Sequence, residues 1–285
     1  MKNIRSIKKI IKAQPTMEGA GVKLKRVFGF GDTELFDPFL LLDHFGSDNP
    51  EDYMAGFPWH PHRGIETVTY MLEGSIRHGD SLGNSGTIHG GDVQWMTAGS
   101  GIIHQEMPER YNGSMAGFQL WVNLPASSKM MNPRYREIKA HEIPSVTLEN
   151  GTVVKVISGS FQNVAGPVKE IVRNPVYFDI AVPANTEYFH SVDSTYTAAA
   201  YVFSGEGYFD EAKKNIITQG NLAVLVQGDA VKITTQNKPV RFIFFGGAPL
   251  REAVAWRGPI VMNTEEELDA AFEEYYNGTF IKSNS

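Results

Sequence analysis

The chain has 285 residues, 42% of them apolar and 20% charged, with a net charge of −6; this ordinary globular composition suits one large domain or two of about 100–150 residues. Cysteine is absent, which excludes disulfides, thiolate metal ligands and a cysteine nucleophile, and fits a reducing compartment. There is no large basic footprint, no signal-peptide core and no apolar run near the ~18 residues of a membrane span. These absences argue against direct nucleic-acid and membrane partners and for a cytoplasmic protein.

The chain opens with Lys2, Arg5, Lys8, Lys9 and Lys12 mixed with isoleucine, the pattern of a solvated strand edge. Short segments rich in Val, Ile, Phe and Tyr then recur between turn residues: Glu66–Leu72, Asp92–Thr97, Gly117–Asn123, Thr152–Ser158, Val176–Ala181, Ala198–Phe203, Leu222–Val226 and Arg241–Phe245. Many short strands at such spacing predict an all-β barrel or sandwich. Two passages echo each other about 130 residues apart. Tyr70–Gly74 is followed by Gly91–Trp95, and Tyr201–Gly205 by Gly220–Val224, each a strand ending at glycine and then a glycine turn entering a strand. The offset predicts two tandem barrels with a boundary between Pro125 and Pro144, placed at 135/136. Near the end, Asn263 or Thr264 caps an acidic first turn, and Leu268, Ala271, Phe272 and Tyr275 share a face before Gly278. This predicts one short C-terminal helix with a packing role.

The chemistry concentrates in two motifs. Among eight histidines, His60 and His62 stand in Trp59-His-Pro-His-Arg-Gly64, and His104 stands with Glu106 after the glycine turn Gly99-Ser-Gly101. In extended backbone, residues i and i+2 point the same way. Each pair therefore shares a face, and two such strands side by side would bring three imidazoles and a carboxylate to one divalent ion. The donor set suits Fe(II), Mn(II), Ni(II), Cu(II) or Zn(II), and leaves two positions of an octahedral ion for other ligands. Glu66 competes with Glu106 for the carboxylate role, or supports a histidine from behind, or pairs with Arg63; Glu106 is preferred. Gln119 is a candidate cavity residue. His44, His78, His89 and His141 read as surface or turn residues, and His190, with no partner two residues away, gives no reason for a metal in the second half.

At these residues the sequence resembles the pirin family. The resemblance runs through Leu35–Asp43, Phe57–Tyr70, Gly91–Pro108, Leu120–Leu124, Val156–Gly159 and Gly258–Glu267, and so covers nearly the whole chain. It implies a bicupin: two tandem cupin β-barrels, residues 1–135 carrying the metal and 136–285 lacking one but adding the C-terminal helix. It also implies that His60, His62, His104 and Glu106 hold the ion, with iron as the first expectation. Ser100, where arginine is common in the family, and Trp59 depart from the pattern at the cavity mouth.

For function, the resemblance implies a quercetin 2,3-dioxygenase-like enzyme, taking a small phenolic or enol substrate and O2, with Glu106 as the catalytic base. The alternative it implies is a metal-binding regulator that acts through contact with a partner protein, as a transcription cofactor or a modulator of a metabolic enzyme. The expected state is a monomer.

Overall fold

The computed structural model describes residues 3–110, 113–169 and 171–282. The molecule is all-β, the class the resemblance implies, with two α-helices among the described residues: α1, Thr33–Phe36, and α2, Glu265–Tyr276. Neither is long and apolar enough to cross a membrane. All eight segments expected to be strands lie in strands, within about two residues at most ends; the segment expected to stop at Phe203 runs on to Tyr208.

The chain divides into two compact units, Met1–Ala13 with His141–Pro249, and Gln14–Ala140 with Leu250–Ser285. This division differs at both ends from the consecutive one expected at 135/136. The first residues join the later unit because Ile7–Lys12 pairs antiparallel with Asn221–Leu225. The last residues return to the histidine-bearing unit because the apolar face of α2, Leu268 and Ala271, packs on Ala255, Ile260, Met262 and Phe280. Thr264 caps α2 in a capping box with Glu267, each side chain bonded to the other residue's backbone N–H, so two otherwise unpaired donors are satisfied.

In the histidine-bearing unit we number thirteen strands. They are β1 (Gln14–Glu18), β2 (Val22–Phe28), β3 (Phe39–Ser47), β4 (Phe57–His62), β5 (Ile65–Glu73), β6 (Ser75–Asp80), β7 (Ser85–His89), β8 (Val93–Thr97), β9 (Ile102–Pro108), β10 (Met115–Asn123), β11 (Arg134–Ile138), β12 (Ala255–Arg257) and β13 (Ile260–Met262). One sheet runs β11-β8-β5-β10-β3-β2-β1, a second β4-β9-β6-β7, and β12 pairs with β13. Buried Val22, Leu24, Phe45, Met71, Ile76 and Met115 form one apolar cluster, and Leu40, Ile65, Met96, Ala98, Ile102 and Val261 another.

The other unit repeats the order. Asn221–Leu225, Thr197–Tyr208, Val240–Gly247 and Val176–Val182 are neighbours in sequence of pairing, as β8, β5, β10 and β3 are. Its interior is filled by apolar side chains, Phe178, Phe242, Phe244, Val231 and Ile233 among them. The echo in the sequence is one pair of turns built twice. Gly74 and Gly91 have φ of 83° and 92°, Gly205 and Gly220 of 71° and 83°. The Gly91 N–H donates to Met71 O and the Gly220 N–H to Val202 O, both at 2.8 Å. Left-handed backbone of this kind costs a β-carbon dearly, which is why glycine stands at all four places.

Candidate metal centre

Strands β4 and β9 pair antiparallel with His60 opposite His104 and His62 opposite Ile102. Alternation therefore brings the faces of His60, His62 and His104 together. Their ligand nitrogens lie within 4.8 Å of one another, and the ring centroids are 4.4 Å (His60–His104), 4.8 Å (His60–His62) and 5.1 Å (His62–His104) apart.

The hydrogen bonds fix which nitrogens face inward. His60 Nδ1 is 2.8 Å from Pro58 O, and His62 Nδ1 is 3.0 Å from Pro259 O. A carbonyl can only accept, so in each neutral ring Nδ1 carries the proton and Nε2 presents a lone pair. Those two Nε2 atoms sit 3.1 Å apart, a close approach of lone pairs that calls for a cation between them. Ligands about 2.1 Å from an ion and 90–110° apart are themselves about 3.0–3.4 Å apart, so the spacing matches adjacent positions on a metal. His104 is fully buried, and neither of its ring nitrogens has a hydrogen-bond partner among the described residues, an arrangement that costs free energy without a ligand. Burial first, and then the neighbouring imidazoles, push His62 and His104 well below the usual histidine range, keeping both rings neutral and able to ligate. On these grounds the residues fit a divalent ion.

Glu106 is placed differently. The β4–β9 register shifts between His104 and Glu106, and Glu106 is not one of the residues whose ligand atoms cluster. Its Oε1 accepts from Gln94 Nε2 at 2.9 Å and from Thr69 Oγ1 at 3.0 Å. Thr69 Oγ1 is also 2.6 Å from Gln119 Oε1. A hydroxyl has one proton to give, so the arrangement closes if the Gln119 amide is turned to donate to Thr69 while Thr69 donates to Glu106. Glu66 takes neither of the other roles weighed for it at the metal. It is buried, accepts from Thr97 Oγ1 at 2.7 Å, and is shifted upward chiefly by burial. Arg63 pairs instead with Glu274 at 2.7 Å.

His78 departs from its expected surface role. It lies buried on β6 opposite Glu106, its ring centroid 5.6 Å from that of His104, with Nε2 3.0 Å from Asp80 Oδ2. His89 and His141 are exposed and His44 is half-buried. His190 lies buried in the other unit between Phe178 and Phe244, its Nδ1 2.8 Å from Tyr188 Oη.

His60 and His62 open onto a cavity of about 660 Å³. His60, His62, Glu106 and Gln119 line it, with Trp59, Trp121, Trp256 and Phe30 as aromatic walls. The C-terminal segment supports this site, which the sequence did not announce. Besides the Pro259 carbonyl on His62, Arg63 donates to Phe280 O at 3.0 Å and lies 4.2 Å from that ring. Lys129 Nζ donates to Gly64 O, Asn123 Oδ1 and Val261 O at 2.9, 2.7 and 3.0 Å.

The sequence profile of the Pirin family matches residues 21–122, and that of the Pirin C-terminal cupin domain matches residues 177–281. The chain belongs to the pirin family. Among pirin relatives, it is 44% identical to a pirin-like protein of Caulobacter vibrioides over 97% of this chain and 99% of that one. It is 41% identical to a Pseudomonas aeruginosa protein provisionally named a quercetin 2,3-dioxygenase, over 98% of this chain and 99% of that one. A crystal structure of quercetin 2,3-dioxygenase from Acinetobacter baumannii superposes with a TM-score of 0.90 at 30% identity, covering 97% of this chain and 98% of that chain.

Proposed function

We propose that this pirin is a metal-dependent dioxygenase that opens the heterocyclic ring of flavonol-type phenols with O2 and releases carbon monoxide. The observation that carries the reading is the pair of Nε2 lone pairs 3.1 Å apart beside the unpartnered His104, set in an aromatic-walled cavity of about 660 Å³. That volume lies within the ~300–1,000 Å³ of small-molecule sites. The likeness to a quercetin 2,3-dioxygenase over nearly both chains supports the substrate class.

His60, His62, His104 and Glu106 hold the ion in this reading, iron being the first choice from an N/O donor set that also takes manganese, nickel, copper or zinc. A divalent ion bound there would supply Lewis acidity to a substrate hydroxyl and carbonyl. The chain's own groups do the rest. Trp59, Trp121 and Trp256 offer flat faces to a planar substrate. Gln94 and Thr69 fix one Glu106 oxygen, and the other accepts the proton of the substrate's 3-hydroxyl. The protein acts as a cytoplasmic monomer on this proposal.

The test is aerobic turnover of quercetin by the iron-loaded protein, with His60→Ala, His104→Ala and Glu106→Gln as controls. Carbon monoxide release that vanishes in both histidine variants and falls at least ~100-fold in Glu106→Gln supports the reading. Turnover no faster than free iron would overturn it and favour the regulator.

A further inference from the structure

The cavity has a second polar end that the metal reading leaves unused. Arg26 on β2 stands opposite Asp43 on β3, Asp43 opposite Gln119 on β10, Gln119 opposite Thr69 on β5, and Thr69 opposite Gln94 on β8. Residues directly opposite across antiparallel strands share a face. The five side chains therefore form one polar stripe across the sheet, about 14 Å from β2 to β5 at ~4.8 Å per strand. Glu106 joins the stripe at Thr69 and Gln94.

At the far end the guanidinium of Arg26 is gripped by two carboxylates. Nε and Nη2 donate to Asp43 Oδ1 and Oδ2 at 2.9 and 2.8 Å, and Nη1 meets Glu18 Oε1 at 2.8 Å. Glu18, Arg26 and Asp43 all line the cavity. One cation against two anions leaves this end with a net charge of −1. Two of the five guanidinium N–H groups and the remaining carboxylate lone pairs stay available to a neutral ligand. A ring bearing hydroxyls can donate to Glu18 or Asp43 and accept from Arg26, whereas a ring bearing a carboxylate, sulfate or phosphate meets two like charges that already hold the Arg26 guanidinium.

We propose that Glu18, Arg26 and Asp43 form a specificity site that accepts the uncharged, hydroxylated distal ring of a planar substrate and rejects the same ring when it carries an anionic group. The proposal rests on the flavonol reading for the substrate's shape, while its test reads binding alone.

The experiment is calorimetric titration of the zinc-loaded protein, with oxygen excluded, at pH 6. The probes are a flavonol with hydroxyls on its pendant ring and the same flavonol with a carboxylate at that position. Each is measured against wild type, Glu18→Gln and Glu18→Lys. Wild type is expected to bind the hydroxylated probe at least ~10-fold more tightly, about 1.4 kcal/mol. Glu18→Gln should narrow the gap several-fold, and Glu18→Lys should abolish or reverse it. Equal affinities in wild type, a gap that both variants leave intact, or no binding of either probe would overturn the proposal. A charge-dependent gap in a protein that never turns over quercetin would keep the specificity site and sink the dioxygenase reading. Binding without a gap, in a protein that does turn over quercetin, would do the reverse.

Discussion

Replacing Arg63 with alanine tests whether the C-terminal segment holds the metal loop. Arg63 is 2% exposed. Its Nη2 donates to Glu274 at 2.7 Å and to Phe280 O at 3.0 Å, and its guanidinium sits 4.2 Å from the Phe280 ring. Two charge-assisted hydrogen bonds are worth about 1.5–3 kcal/mol each when buried. The Glu274 side chain is 32% exposed and keeps Lys282 at 2.7 Å, so that bond is discounted to about 1 kcal/mol. Adding the ring contact at about 1 kcal/mol, and subtracting about 2 kcal/mol for no longer burying a charge, leaves a net loss of about 2–3 kcal/mol once the side-chain stem is counted. The assay is denaturant unfolding followed by tryptophan fluorescence. All four tryptophans, Trp59, Trp95, Trp121 and Trp256, belong to the histidine-bearing unit, so the signal reports that unit alone. Arg63 precedes Gly64 and follows His62, whose Nδ1 is fixed by Pro259 O; loosening this segment should weaken metal binding about 10-fold, the usual cost of losing an outer hydrogen bond to a ligand histidine. Arg63→Lys should fall between, keeping charge without the fork. An alanine variant within about 0.5 kcal/mol of wild type in stability, with unchanged metal affinity, would refute the reasoning.

Other outcomes follow from single features. Burial pushes His190 down to about 3, whereas an unfolded histidine titrates near 6.5. The unfolded chain therefore binds the extra proton between those values, and stability falls with falling pH by up to about 1.4 kcal/mol per unit through that window. His190→Leu should flatten the acid limb of far-ultraviolet urea melts by about one proton, and an unchanged slope would contradict this. Thr264→Ala removes one arm of the capping box on α2 and should cost about 1 kcal/mol, read by the same fluorescence titration. Gly64 has φ of 77°, and a β-carbon there would overlap the Val261 carbonyl oxygen; Gly64→Ala should cost more than about 3 kcal/mol or prevent folding of that unit.

The histidine cluster was legible because ligands two residues apart on extended backbone share a face, and because both pairs lie beside glycine turns. The duplication was legible because four positive-φ glycines recur at nearly constant offset. What stayed hidden depends on contacts distant in sequence. The polar stripe joins Arg26, Asp43, Gln119, Thr69 and Gln94 through pairing register, which local composition does not encode. The Pro259 carbonyl that orients His62 lies 197 residues away, in a segment the linear division gave to the other unit. His78 read as a surface or turn residue because it lies outside the two motifs, yet alternation turns it inward beside Asp80. Glu106 was legible as sharing a face with His104; what spacing did not show is the register shift between the two in the pairing with β4, and the hold of Thr69 and Gln94 on one carboxylate oxygen.

The central claim is that His60, His62 and His104 hold one divalent ion. Titrating metal-stripped protein with Co(II), followed by visible absorption and calorimetry, tests it most directly. The account predicts one ion per chain with bands of mixed nitrogen and oxygen ligation, a loss of at least ~100-fold in affinity in each histidine-to-alanine variant, and a loss of about 10-fold in Glu106→Gln. Binding that survives His104→Ala at wild-type strength, or no stoichiometric binding in wild type, would contradict it.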